Sequence, residues 1–225
     1  MTPERTGVLG GRFDPIHCGH LETAAAARRA LALHEVLLIP SGLSPHRASA
    51  ARAPGVDRLA MVTLAAQSDP HLTPSDLELS IDAPSYTSST LARLHDRGYR
   101  RTQLFFIVGA DAFAEIATWH DYPAVLEAAH FVVVSRPGYS VAGLAARLPT
   151  LRNRMRTIAS AGTPLGSGTA PAIWLLDAVT PNVSSTQVRT WLARRQPVTG
   201  LVPPAVATYI AHHRLYDGPA MSLHD

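Results

Sequence analysis

Four short runs with no polar interruption constrain this chain more than anything else in it: Val36-Leu37-Leu38-Ile39-Pro40, Leu104-Phe105-Phe106-Ile107-Val108, Phe131-Val132-Val133-Val134 and Ile173-Trp174-Leu175-Leu176. A strand that is apolar on both faces must be covered on both faces, which is the condition of a parallel sheet between helical layers. Helical patterns fall between the runs, over residues 21–33, 56–66 and 88–97. Strand and helix in alternation predict an α/β fold, a Rossmann-like doubly wound parallel sheet. Residues 72–81 alternate in part and predict a strand nearer an edge. Residues 159–172, rich in Gly, Ser, Thr and Pro, read as a linker or surface loop. In such a sheet the loops after the strands gather at one mouth. Here they are Gly10-Gly11, Pro40-Ser41-Gly42, Gly109-Ala110-Asp111 and Ser135-Arg136-Pro137.

The first of these loops carries the most chemistry. The run Gly10-Gly11-Arg12-Phe13-Asp14-Pro15-Ile16-His17-Cys18-Gly19-His20 joins an apolar strand to a helix. Glycine lets a ligand approach the backbone closely, and a helix start offers unpaired N–H groups and the positive end of a dipole, so the junction suits a phosphate. His17 and His20, three apart, share a face of the first turn and can donate to phosphoryl oxygens. A metal pair is the alternative, although no Cys or carboxylate with ligand spacing lies nearby in the sequence.

A second junction follows the last strand. Ser184-Ser185-Thr186-Gln187-Val188-Arg189 leads into an amphipathic segment. Serines there are helix-capping signals, and an ordinary capped helix explains them in part. Two serines, a threonine and an arginine within one and a half turns also suit an anion.

Composition excludes other classes. The 225 residues are 46% hydrophobic and 16% charged, as in a globular protein with a sizeable core. No apolar run is long enough to span a bilayer, and residues 1–12 lack a secretory pattern, so the expected location is cytoplasmic. One cysteine permits no internal disulfide. The net charge is +3, carried entirely by arginine with no lysine. Pairs such as Arg28-Arg29, Arg100-Arg101 and Arg194-Arg195 have no interleaved aromatics, and neither a nucleic-acid nor a membrane partner is expected. Homo-oligomerisation is left open. Residues 1–183 are expected to form the α/β domain, with 184–225 as a small helical extension packed on it.

The two junctions together resemble those of nucleotidyltransferases with a His-x-x-His signature near one end and Ser-Ser-Thr-x-x-Arg near the other. Within that superfamily the chain is similar to the nicotinate-nucleotide adenylyltransferases. The likeness extends to Pro45-His46-Arg47, Arg58-Leu59-Ala60-Met61, Pro84-Ser85-Tyr86-Thr87, Trp119-His120, Ser135-Arg136-Pro137-Gly138-Tyr139 and a tail with Val202-Pro203, Tyr209-Ile210 and Leu215-Tyr216.

The resemblance implies adenylyl transfer from ATP to nicotinate mononucleotide, giving deamido-NAD and pyrophosphate. It implies His17, His20, Arg47 and Arg189 as catalytic groups. It assigns Gly10, Gly11, Phe13, Gly109, Asp111, Ser184, Ser185 and Thr186 to ATP, and Tyr86, Thr87, Trp119 and His120 to nicotinate mononucleotide. Mg²⁺ is implied as a companion of ATP, with no metal site of the protein's own. The sequence departs from the family pattern at Arg12, where a small hydroxyl residue is usual, at Ser44 for proline, at Arg47 for lysine and at Ile81 for arginine. Sister transferases acting on phosphopantetheine or on phospho-alcohols share the end signatures but are generally shorter and lack the Ser85-Tyr86-Thr87 and Trp119 elements. A catalytically silent nucleotide-binding module is the reading from another class.

Overall fold

The computed structural model describes residues 4–43, 51–81, 83–158 and 170–217. In chain order these form β1 (Thr6–Gly11), α1 (Cys18–Leu31), β2 (Glu35–Pro40), α2 (Gly55–Ala66), β3 (Leu72–Pro74), α3 (Thr87–Asp96), β4 (Leu104–Gly109), α4 (Ala110–Phe113), β5 (His130–Val134), α5 (Leu144–Arg147), β6 (Met155–Thr157), β7 (Ile173–Leu176), α6 (Ser185–Ala193) and α7 (Pro204–His212). The strands make one sheet in the order β3-β2-β1-β4-β5-β7-β6, and every pairing is parallel.

The apolar runs are buried on both faces, with alternate residues dividing between two cores. Val36, Leu38, Phe105, Ile107, Val132 and Val134 face α1, α2 and the C-terminal helices, alongside Val188, Val206 and Ile210. Leu37, Ile39, Phe106, Val108, Phe131 and Val133 face α3 and the short helical turns around Ile116 and Val125. The tail is bound into the first core, and Tyr209 on α7 also donates from its hydroxyl to Asp57 Oδ1 on α2 at 2.9 Å.

Several expectations are corrected. The strand expected over 72–81 ends at Pro74; the rest is turn, and its partial alternation comes from Leu77 and Glu78 turning inward. Strand β6, three residues at the sheet edge, has no counterpart in the sequence reading. The first helix begins at Cys18 and ends at Leu31, before its expected end at 33. Gly10 and Gly11 are the last two residues of β1, not a turn; the positive φ belongs to Phe13, at 46°. The expected linker over 159–172 lies largely outside the described residues, as do Ser44 and the Pro45-His46-Arg47 segment.

The sheet order reverses direction between β1 and β4, so the loops leaving these two strands diverge to opposite sides. The crevice they leave open is where ligands bind in doubly wound sheets.

Candidate active site

That crevice contains a cavity of about 350 Å³, within the range of small-ligand sites. Gly10 and Gly11 form its floor. Gly109 and Asp111 at the end of β4, Ser41 beyond β2 and Arg136 beyond β5 line it, with His20 from α1 and Ser185 and Arg189 from α6. The four loops expected to meet do meet. A Cβ on Gly10 would touch nothing closer than the Phe106 ring at 4.0 Å, so this backbone stands open to the cleft.

His20 is held from three sides. Its Nδ1 accepts the backbone N–H of His17 at 3.3 Å, its ring stacks on the His17 ring with centroids 3.6 Å apart, and Phe13 meets it edge-on at 5.0 Å. With Nδ1 accepting, the proton of the neutral ring belongs on Nε2, which makes that atom a donor. Burial, then the charges of His17 and Arg136, hold its pKa well below the ordinary value. His17, 1% exposed, is depressed to about 4 by burial and then Arg136. Its ring is not part of the cavity wall; it backs His20. Phe13 is likewise buried, so its side chain packs and its backbone turns the corner.

The second junction divides in the same way. Ser184 caps α6 by accepting the N–H of Gln187 at 3.1 Å, and Thr186 accepts from Arg189 Nη2 at 3.2 Å. Neither lines the cavity. Ser185 and Arg189 do, each anchored to the first junction: Ser185 Oγ donates to Pro15 O at 2.9 Å, and Arg189 Nη1 to Asp14 O at 2.6 Å. Two helix starts nearly 170 residues apart in sequence thus meet by direct hydrogen bonds.

Trp119, His120, Tyr86 and Thr87 line the same cavity. Trp119 packs edge-on against Phe106 and Phe131, with centroids 6.2 and 6.4 Å away. Tyr86 stacks on His120 at 4.2 Å, and His120 Nδ1 lies 2.9 Å from Asp121 Oδ2. Thr87 is the first residue of α3, so first-turn N–H groups without intrahelical partners begin there. Asp111 Oδ1 and Ser41 Oγ, both from residues lining the cleft, are buried polar atoms without a hydrogen-bond partner. Unspent polar atoms of that kind are what a polar ligand satisfies.

Sequence reasoning assigned no role to four residues that organise this site. Asp14, 1% exposed, accepts the N–H groups of Arg52 and Ala53. Arg58 donates to Arg12 O, Ser41 O and Ala53 O. Glu78, its carboxyl pushed up by burial, accepts from Thr90 Oγ1 and so ties α3 to the cleft. Arg136 stands 3.9 Å from Asp111 Oδ2 and carries its charge into the cleft. In the sequence Arg58 stands out only as part of a family pattern, and Arg136 as part of a mouth loop and of a family pattern. Arg47 lies outside the described residues. Among the described residues no group of three or more His, Cys, Asp or Glu could hold a metal ion, and no helix is long and apolar enough to cross a membrane.

The depressed histidines make stability depend on pH. His17 and His130, both near 4 through burial (His130 also through Arg5), and His20 are neutral in the fold at pH values where the unfolded chain protonates them. The unfolded state therefore binds more protons below about pH 6.5, and folding free energy falls as pH drops from there toward 4. Each such ring adds a slope of up to about 1.4 kcal/mol per pH unit. The raised carboxyl of Glu78 acts in the opposite sense, as a single group. Urea unfolding at pH 7.5, 6 and 5 is expected to show the decline; equal stabilities would place protonated imidazoles in the native core.

Fold and cleft define a nucleotide-handling α/β protein, with phosphate-suited helix starts at the switch point of a doubly wound sheet. The family model for cytidylyltransferase-like proteins matches residues 8–191. A probable nicotinate-nucleotide adenylyltransferase of Roseiflexus sp. is 38% identical over 218 residues, covering 96% of this chain and all of that protein. Another, from Aeromonas salmonicida, is 40% identical over 216 residues, 93% of this chain and 96% of that one. Among solved structures, the Plasmodium falciparum nicotinic acid mononucleotide adenylyltransferase complexed with APC superimposes with a TM-score of 0.70 at 17% identity, covering 96% of this chain and 98% of that one. The chain belongs to the cytidylyltransferase-like family and, within it, to the nicotinate-nucleotide adenylyltransferases.

Proposed function

We propose that this enzyme transfers the adenylyl group of ATP to nicotinate mononucleotide, forming deamido-NAD and releasing pyrophosphate. One observation carries the reading: Gly10 and Gly11, His20 of α1, Ser185 and Arg189 of α6, and Trp119 all line a single cleft. Donors suited to a triphosphate and an aromatic face suited to a flat heterocycle are thus present in one cavity.

A phosphate oxygen of the mononucleotide attacks the α-phosphorus of ATP. The bond from that phosphorus to the bridging oxygen breaks, and pyrophosphate departs with the electron pair. The attacking oxygen is already anionic near neutral pH, so the chain needs neither a nucleophile nor a general base. Its task is to hold two anions together and stabilise charge on the α-phosphate and leaving group. His20 Nε2–H donates to the reacting phosphate, Arg189 and the α6 start hold the outer phosphates, and His17 fixes the His20 ring. Asp111 receives a ribose hydroxyl on its unspent Oδ1. Trp119 stacks on the pyridine ring, and the α3 start at Thr87, beside Tyr86 and His120, receives its carboxylate. The cleft carboxylates are dispersed: Asp14 and Glu78 already accept hydrogen bonds. Mg²⁺ accordingly fits as a partner of the phosphate oxygens, where it supplies charge neutralisation. Segment 184–225 and residues 1–183 act as one unit, because Ser185 and Arg189 complete the cleft. We place the activity in the cytoplasm, with which a single unpaired cysteine accords.

Pyrophosphate release from ATP is the test, with nicotinate mononucleotide set against its amide and against phosphopantetheine. Release with the acid form is expected; release with phosphopantetheine alone would overturn the reading. Trp119→Ala is expected to raise KM for the mononucleotide about tenfold while leaving KM for ATP within twofold, since lost ring stacking is the main effect. The opposite pattern would put the pyridine ring elsewhere.

A further inference from the structure

Asp14 is the point where three distant segments converge. Its Oδ1 accepts from Ala53 N–H at 3.0 Å and from the Tyr216 hydroxyl at 2.8 Å, and its Oδ2 from Arg52 N–H at 2.8 Å. Arg189 Nη1, which donates to the Asp14 backbone carbonyl, stays 3.8 Å from Oδ2. A buried carboxylate next to an arginine ordinarily draws it into a short two-point pair. Here neutral donors hold both oxygens, two on Oδ1 and one on Oδ2, and the guanidinium remains on the cleft wall.

Tyr216 reaches this carboxylate from 202 positions away, and its backbone takes a form that side chains other than glycine adopt at a cost: φ is 66°, with Arg214 at 52°. Strain held at a single hydrogen bond marks a position fixed by that bond. The ring also packs against the first core beside Leu215, so removing only the oxygen keeps the packing. Burial and the Asp14 charge push the hydroxyl's pKa upward, which keeps it a proton donor.

We propose that Tyr216 is a positioning residue for the triphosphate: by holding Asp14 Oδ1 it fixes the carboxylate in the orientation that leaves Oδ2 3.8 Å from Arg189, and so keeps that guanidinium available to the substrate phosphates. The inference rests on the reading of Arg189 as a phosphate ligand, and the experiment separates the two. In Tyr216→Phe the carboxylate loses its tether on Oδ1 and can turn Oδ2 toward Arg189, drawing the guanidinium inward. KM for ATP is expected to rise about fivefold to tenfold, as for the weakening rather than the full loss of one charge-assisted hydrogen bond, with KM for the mononucleotide within twofold. In an Arg189→Ala background, Tyr216→Phe is expected to add less than twofold.

If Arg189→Ala raises KM for ATP and Tyr216→Phe does not, the positioning role is overturned and the phosphate reading stands. If Arg189→Ala itself leaves KM for ATP unchanged, the phosphate reading falls and the proposal with it. An equal loss of kcat from Tyr216→Phe with and without Arg189, or failure of the Phe variant to fold, would make the tyrosine merely structural and overturn the proposal.

Discussion

His20→Ala is expected to lower the rate of adenylyl transfer by about two to three orders of magnitude, the usual cost of removing one preorganised donor from a developing oxyanion. The expectation follows from how little freedom the ring has. His17 N–H fixes Nδ1 as acceptor, the His17 ring stacks on one face and Phe13 closes the edge, so Nε2–H stands ready without reorganisation. In a site from which water is largely displaced by substrate, such a donor contributes more than it would in water. The loss should fall on kcat, because the charge it meets grows in the transition state. His17→Ala is expected to cost less, since that ring acts through its neighbour. Single-turnover formation of the dinucleotide measures both. A His20→Ala rate within threefold of the parent would remove this imidazole from the chemistry.

Arg58→Ala is expected to destabilise the fold by about 3–5 kcal/mol, the range for breaking a buried charged network. Arg58 is 3% exposed, and its guanidinium gathers carbonyls from three segments: Arg12 O at 2.8 Å, Ser41 O at 2.7 Å and Ala53 O at 3.2 Å. Without it those acceptors are left inside, beside a cavity the size of the lost side chain, and each unpaired group costs about 1–3 kcal/mol. In a chain of this length the midpoint of thermal unfolding should fall by about 10 °C. Lysine is expected to recover little of this, because one ammonium cannot reproduce the planar fork. Urea unfolding gives the free energy directly. A loss below about 1 kcal/mol would mean that water replaces the guanidinium, against the packing described.

These two residues differ in how they could be found. His20 is legible because its role is local: a strand, two glycines and a histidine one turn into a helix are contiguous, and helix geometry fixes their relation. Ser185 and Arg189 are legible for the same reason. Asp14, Arg58 and Tyr216 are not, since an acid, an arginine and a tyrosine acquire those roles from partners as far as 39, 46 and 202 positions away. Ser184, Thr186 and His17 mark the converse limit. Their types suit phosphate, yet the first caps α6, the second accepts from Arg189 and the third lies behind His20. The edge strands are only partly legible, β3 by its start and edge position but not its length and β6 not at all, for another reason. With three residues each, β3 and β6 carry less pattern than the turns around them.

The order of apolar runs and helices, by itself, determined a parallel sheet with a mouth at its strand ends, because a strand without polar residues must be covered twice. The signatures marked a phosphate-suited junction near each end of the chain. Tertiary structure alone decided how the two junctions come to share one cleft: the order β3-β2-β1-β4-β5-β7-β6 opens the crevice between β1 and β4, and the hydrogen bonds from Ser185 and Arg189 to Pro15 and Asp14 bring α6 to it. Those bonds depend on distances in space, and separation along a chain does not encode them.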